Sequence, residues 1–137
     1  MQIFACKFTG SPELRAKGES LMPIQELSLR IPLLSVPGMP TNSMSAIAIL
    51  SIGGPYAIGT NFPGIAFAIS ANGSFITRGG FSSENQQPND SPRTPTTLVA
   101  PFTLFPIEET LMQVHWQPIH GSEGVIDGDA SLTVIVA

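Results

Sequence analysis

The only tyrosine of the chain, Tyr56, stands in the segment Pro55-Tyr56-Ala57-Ile58-Gly59-Thr60-Asn61-Phe62-Pro63-Gly64. Downstream come the triplet Phe81-Ser82-Ser83 and the run Asp90-Ser91-Pro92-Arg93-Thr94-Pro95, which holds an arginine between two prolines. This spacing sets one aromatic ring, a few hydroxyls and one guanidinium beside turn-forming segments, and loops carried by a rigid scaffold are where binding groups concentrate. Other chemistries find less support. His115, His120, Asp127 and Asp129 offer metal-ligating atoms without any recognised spacing, and Asp127-Gly128-Asp129 lacks the remaining ligands of a calcium loop. No serine sits in an elbow motif, and neither histidine has a paired acid nearby in sequence. No metal, no cofactor and no enzymatic activity are expected.

The elements that must position these groups read as strands. Thirteen glycines and thirteen prolines, with charged residues at only 12%, break the apolar residues into short runs, an all-β signature. At 137 residues the chain is expected to form a single domain, residues 1–137, with a substantial core. Six lysines and arginines against a formal charge of −4 leave no basic stripe for phosphates, so nucleic acid is excluded as a partner. So little charge also leaves surface to be covered by something other than water, which points to copies of the chain itself. Cys6 is the only cysteine, so no intramolecular disulfide forms, and it reads as a small hydrophobe. Met1–Lys7 lacks a basic start followed by an apolar run, and no segment has membrane-spanning length. A cytoplasmic location without membrane insertion is expected, with leaderless export as the route outward.

Along the chain, Ser11-Pro12-Glu13, Leu14–Lys17 and Gly18 carry the cap, first-turn proline and stop glycine of one helical turn. From Glu26 the alternation Leu27, Leu29, Ile31 predicts a half-buried strand. Met44–Ile52 is apolar or small on both faces, with Met44, Ala46, Ala48, Leu50 and Ile52 on one and Ile47 and Ile49 on the other, and predicts a strand covered on both sides. Gly64–Ser70 sets Ile65, Phe67 and Ile69 opposite Ala66, Ala68 and Ser70, and Asn72-Gly73 marks a two-residue hairpin into Phe75–Ser83. Asn72-Gly73-Ser74 also matches a glycosylation acceptor, for which the turn suffices. Ser82–Arg93 reads as a long excursion at the rim of a sheet. Thr96–Leu104, Leu111–Gln117 and Ala130–Val136 resume the strand pattern, with Met112, Val114 and Trp116 inward and His115 outward. Trp116 is expected in the core; Tyr56 divides between core and site. Eight to ten strands at these spacings fit a two-sheet jelly-roll sandwich.

Pro55–Ile69, Arg93–Val99 and the later Trp116, Gly121-Ser122, Ile126-Asp127 and Ala130-Ser131-Leu132 together resemble the N-terminal domain family of the Burkholderia cenocepacia superlectin. The likeness is strong over residues 50–136, faint before, and free of gaps from Pro55 to Val99. It implies a tumour-necrosis-factor-like jelly roll that assembles as a homotrimer and binds fucose and fucosylated glycans, such as those of cell-surface glycoconjugates, in clefts between protomers. It further implies that Tyr56, Ser82, Ser91 and Arg93 occupy sugar-binding positions, with Asp90 where the family has serine. Ser83 and His120 join the set where the family has a tyrosine and an arginine, and Ala66 stands where it has another tyrosine. A guanidinium can donate to two adjacent hydroxyls while a ring covers the apolar side of a sugar. The superlectin continues into a calcium-dependent lectin, whereas this sequence ends after its last strand, so calcium is not implied and multivalency is expected from the trimer. The Ala66, Ser83 and His120 set supports an alternative: a trimeric structural or protein-interaction module with a lost or altered sugar site.

Overall fold

The computed structural model describes residues 1–34, 42–82 and 93–137. Among the described residues there are eleven strands and no helix: β1 (Gln2–Phe8), β2 (Leu14–Ala16), β3 (Met22–Ile31), β4 (Met44–Ile52), β5 (Tyr56–Ile58), β6 (Gly64–Ala71), β7 (Ser74–Ser82), β8 (Thr96–Leu104), β9 (Thr110–Ile119), β10 (Glu123–Ile126) and β11 (Ala130–Val136). Two antiparallel four-stranded sheets, ordered β1-β11-β4-β8 and β3-β9-β6-β7, face each other. Taking these eight strands in chain order, the first sheet reads 1-8-3-6 and the second 2-7-4-5, the doubly wound Greek key of a jelly roll.

The alternation seen in the sequence puts the core between the sheets. Ala46, Ala48, Leu50 and Ile52 of β4 and Leu132 and Val134 of β11 meet Ile65, Phe67 and Ile69 of β6 and Met112, Val114 and Trp116 of β9, all nearly or fully buried. Phe67 is the largest fully buried side chain, and truncating such a group to alanine costs about 3–5 kcal/mol. The Asn72-Gly73 hairpin is present, with both residues in the left-handed region at φ 48° and 85°. Asn72 also ties the turn to β9, since its Oδ1 accepts from the Leu111 amide at 2.7 Å.

Two local expectations need correction. Residues 14–16 form a strand instead of a helical turn, because pairing of Ala16, Arg15 and Leu14 with Gly124, Val125 and Ile126 of β10 outweighs the capping signal of Ser11 and Gly18. β3 begins at Met22, not Glu26; Pro23 is tolerated because β3 is an edge strand, and a bulge between Ile24 and Ser28 resets the register. Ala68 and Ser70, on the face opposite Phe67, are as buried as the core. Their cover is local: half-buried His115 lies 3.0 Å from Ser70 Oγ, Phe75 meets the His115 ring edge-on at 5.1 Å, and the Arg78 guanidinium sits 4.8 Å over Phe75.

Jelly-roll winding gathers alternate connections at one end. Phe8, Ile52, Thr96 and Ala130 lie at one end of the first sheet, as the register of its strands requires. Three of the crossings between sheets at that end carry the short strands β2, β5 and β10, which pair as a small third sheet in the order β2-β10-β5. Tyr56 opens β5, Arg93 precedes β8, and His120 and Asp127 flank β10.

Candidate functional site: an arginine held between an aromatic ring and a carboxylate

Tyr56, which the sequence alone divides between core and site, is a strand residue, half-buried and paired with Val125. Arg93 comes to it from the far side of the chain: its guanidinium carbon lies 4.6 Å from the centre of the Tyr56 ring, a cation–π contact. One face of the ring is thus taken by the guanidinium, so the ring acts first as a platform for Arg93. The backbone fixes the approach. Thr94 donates its amide to the Pro55 carbonyl at 3.2 Å, and Gly54 beside Arg93 Cβ takes φ 128°, a conformation that L side chains rarely adopt.

The end of the guanidinium is held by a residue the sequence did not single out for this site. Arg93 Nη2 donates to Asp127 Oδ2 at 2.9 Å, Nη1 donates to Asp127 Oδ1, and Nη1 also donates to the Gly54 carbonyl at 3.3 Å. The hydrogen bonds with Asp127 push the Arg93 pKa further up, and the same bonds hold the Asp127 carboxyl below the usual carboxylate range. Arg93 has half of its side-chain surface in water (53%) while Asp127 has a quarter (26%), so the pair is a partly desolvated, two-pronged contact and not a loose surface pair.

Ser82 and His120 are brought together as well, but on a different group. Both reach the Phe62 carbonyl: Ser82 Oγ donates at 3.1 Å and His120 Nδ1 lies at 2.7 Å. A carbonyl only accepts, so His120 carries its proton on Nδ1 and turns Nε2 outward. Phe62 packs edge-on against the His120 ring at 6.5 Å. His120 and Gly121 both have positive φ, 54° and 70°, in a tight turn closed by the Ser122 amide on the Ile119 carbonyl at 3.1 Å. Buried Ser122 pins this turn to the start of β6, with its Oγ 3.0 Å from the Gly64 carbonyl. Among the described residues no hydrogen bond or ring contact joins the Phe62, Ser82 and His120 group to the Tyr56, Arg93 and Asp127 group. Ser83, Asp90 and Ser91 lie outside the described residues. Ala66, at the family's second tyrosine position, is half-buried between Gln117 and Gly80.

The signal for Asp127 was its place in Ile126-Asp127, within the segments that carry the family likeness; its pairing with Arg93 spans a sequence separation no local pattern encodes. Among the described residues, no three His, Cys, Asp or Glu side chains converge as a metal site.

A family model described as the Bc2l-C N-terminal domain matches residues 13–135. No curated protein matches the sequence. Among solved structures, the insecticidal delta-endotoxin Cry8Ea1 from Bacillus thuringiensis is 12% identical with a TM-score of 0.45, covering 91% of this chain and 19% of its own. The VP2 subviral particle of infectious bursal disease virus is 11% identical with a TM-score of 0.47, covering 97% of this chain and 32% of its own. The EclA C-terminal domain, a sugar-binding protein, is 12% identical with a TM-score of 0.44, covering 98% and 79%. This chain therefore spans a minor part of the first two, and likenesses at this level say nothing of what it binds.

Proposed function

The chain belongs to the Bc2l-C N-terminal domain family, and on that premise we propose that it is a lectin, recognising fucose or fucosylated glycans in clefts between the protomers of a homotrimer. The observation that carries this is the contact between Tyr56 and Arg93, two positions at which the family resemblance implies sugar binding, joined at 4.6 Å by segments far apart in sequence. Ser82, Ser83, Asp90, Ser91 and His120 complete the proposed set. The role is non-enzymatic: the site offers donors, acceptors and a ring, which suit the hydroxyls and apolar patches of a sugar.

Assembly is supported by the outer face of the β1-β11-β4-β8 sheet. The register aligns Ile3, Ile135, Ile47 and Pro101 across its four strands and, one row on, Ala5, Thr133, Ile49 and Val99. Ile3, Ile47 and Val99 expose 59%, 41% and 58% of their surface, an apolar patch of the sort that another chain covers.

One observation favours the alternative, a trimeric structural or protein-interaction module: Asp127 and Tyr56 already occupy much of the Arg93 guanidinium, while Ala66 and His120 replace family groups. A glycan array probed with the purified oligomer decides. Selective signal on fucosylated glycans is expected; silence from a folded oligomer would overturn the lectin and leave the interaction module.

A further inference from the structure

Of the five N–H donors of Arg93, three are engaged by described residues: two on Nη1, to Gly54 and Asp127, and one on Nη2, to Asp127. Among the described residues the Nε–H and the second Nη2–H have no partner. These two lie along the same edge of the planar group and point the same way, at a spacing that suits two neighbouring oxygens. The free edge adjoins, through Nη2, the end that grips Asp127, and the Tyr56 ring supports the guanidinium from one face.

Charge decides which oxygens that edge accepts. Arg93 and Asp127 sum to zero, and the Asp127 carboxylate, a quarter exposed, sits on the adjoining end of the guanidinium, which shares Nη2 with the free edge. An uncharged vicinal diol takes both donors without electrostatic penalty. A carboxylate, sulfate or phosphate group fits the same edge in shape and is drawn by the guanidinium, but the Asp127 carboxylate beside it cancels most of that attraction and leaves the cost of stripping water from the anion uncompensated.

We propose that Asp127 is a specificity-determining residue, which restricts the free edge of Arg93 to the vicinal hydroxyls of uncharged sugars and rejects sialylated or sulfated ones. The inference rests on the sugar-binding reading of this end of the molecule, and it adds a selection rule and a residue for it. Asp127 also keeps Arg93 in place, so its replacement has two separable effects: looser positioning, which weakens every ligand, and loss of a negative charge, which favours anionic ligands alone.

The test is titration of a neutral fucosylated oligosaccharide and of its sialylated and sulfated counterparts against the intact oligomer and its Asp127→Asn and Asp127→Glu variants. The wild type should bind the neutral sugar in preference to the acidic ones. Asp127→Asn, which keeps size and one acceptor, should shift the neutral-to-acidic ratio by about tenfold or more towards the acidic ligands, the scale of removing one like charge from a partly screened site. Asp127→Glu, which keeps the charge, should leave that ratio near the wild-type value even where overall affinity falls. An unchanged ratio in Asp127→Asn, with neutral sugar still bound by the wild type, overturns the selection rule and leaves the lectin standing. Absence of all glycan binding in the wild type removes both. Should Asp127→Asn fail to fold, the wild type alone suffices: rejection of acidic ligands must weaken as salt is raised, and salt-independent discrimination overturns the proposal.

Discussion

The two sheets of this jelly roll treat their outer faces in opposite ways. On β3-β9-β6-β7, small residues at Ala68 and Ser70 let His115, Phe75 and Arg78 fold down over the sheet, so that both small residues are 1% exposed within a single chain. On β1-β11-β4-β8, the middle of the outer face carries Ile3, Ile47, Ile49, Val99 and Ile135, branched side chains that stand off the sheet and leave Ile3 and Val99 more than half exposed. A sheet face can thus be completed by its own side chains or left for another chain. The choice is legible in whether the outward positions alternate small with polar-aromatic residues or repeat β-branched ones.

The largest effect expected is on the uncovered face. Ile47→Glu places a carboxylate in the middle of the apolar row; if three copies bury that row together, an unpaired charge there costs on the order of 3 kcal/mol or more per interface, over a hundredfold in association. Light scattering should show the variant as a folded monomer, with glycan binding lost along with the interprotomer clefts. Gln113→Glu, on the outer face of the other sheet, should leave assembly unchanged. A stable oligomer of Ile47→Glu would mean that the β1-β11-β4-β8 face is not the interface.

Next in size is Arg93→Ala, which separates the site from the assembly face. Losing a two-pronged charge-assisted contact should weaken glycan binding by about 2–3 kcal/mol, roughly thirty- to a hundredfold or somewhat more. Folding and oligomeric mass should hold, because Arg93 is half exposed and its partner Asp127 can turn to water. The Asp127 carboxyl should also rise back towards the usual carboxylate range once its donor is gone, which nuclear magnetic resonance can follow. Calorimetry returning wild-type affinity would remove Arg93 from the site.

How far this was legible in the sequence depends on the range of the interaction involved. The Asn72-Gly73 turn and the core place of Trp116 are encoded by neighbours one, two or four residues apart and are found as expected, whereas β4, expected to be covered on both sides, is buried within the chain only on its Ala46, Ala48, Leu50 and Ile52 face and leaves Ile47 exposed. The sequence points to a helical turn at β2 because its cap-like residues are local while its pairing with β10 is not. The same limit hid the contact of Arg93 with Asp127, which exists only because winding brings the connection before β8 beside the one after β10. The burial of Ser70 escaped for a related reason: its cover comes from β7 and β9, strands that periodicity along β6 cannot see. Family likeness supplies what periodicity cannot, since it names Tyr56 and Arg93, which the fold brings into contact.

The smallest effect expected lies on the self-covered face and concerns acid. Burial against Ser70 and Phe75 pushes the His115 pKa below its ordinary value, because the charged imidazolium loses water there and meets no carboxylate among its described contacts. Arg78, held over the far side of Phe75, adds no compensating negative charge. The unfolded chain takes up its proton near the ordinary histidine pKa of about 6.5, and the folded chain only at lower pH. Between those two values the unfolded state binds more protons, so stability rises with pH in that window; it is fully present above about 6.5 and is lost as pH falls towards the lowered folded pKa. His115→Gln keeps a group able to bond Ser70 but does not titrate. Urea unfolding measured at intervals from about pH 7.5 down to 5.5, above the range in which most carboxylates respond, should therefore give a flatter stability profile for the variant than for the wild type. The contrast between the faces sharpens here, because nothing in the rows formed by Ile3, Ile47, Ile49, Val99 and Ile135 titrates, and oligomeric mass should stay constant over the same interval. Parallel profiles for wild type and His115→Gln would mean that the outer cover of β3-β9-β6-β7 tolerates the charged ring, and that its burial of Ala68 and Ser70 is looser than the distances imply.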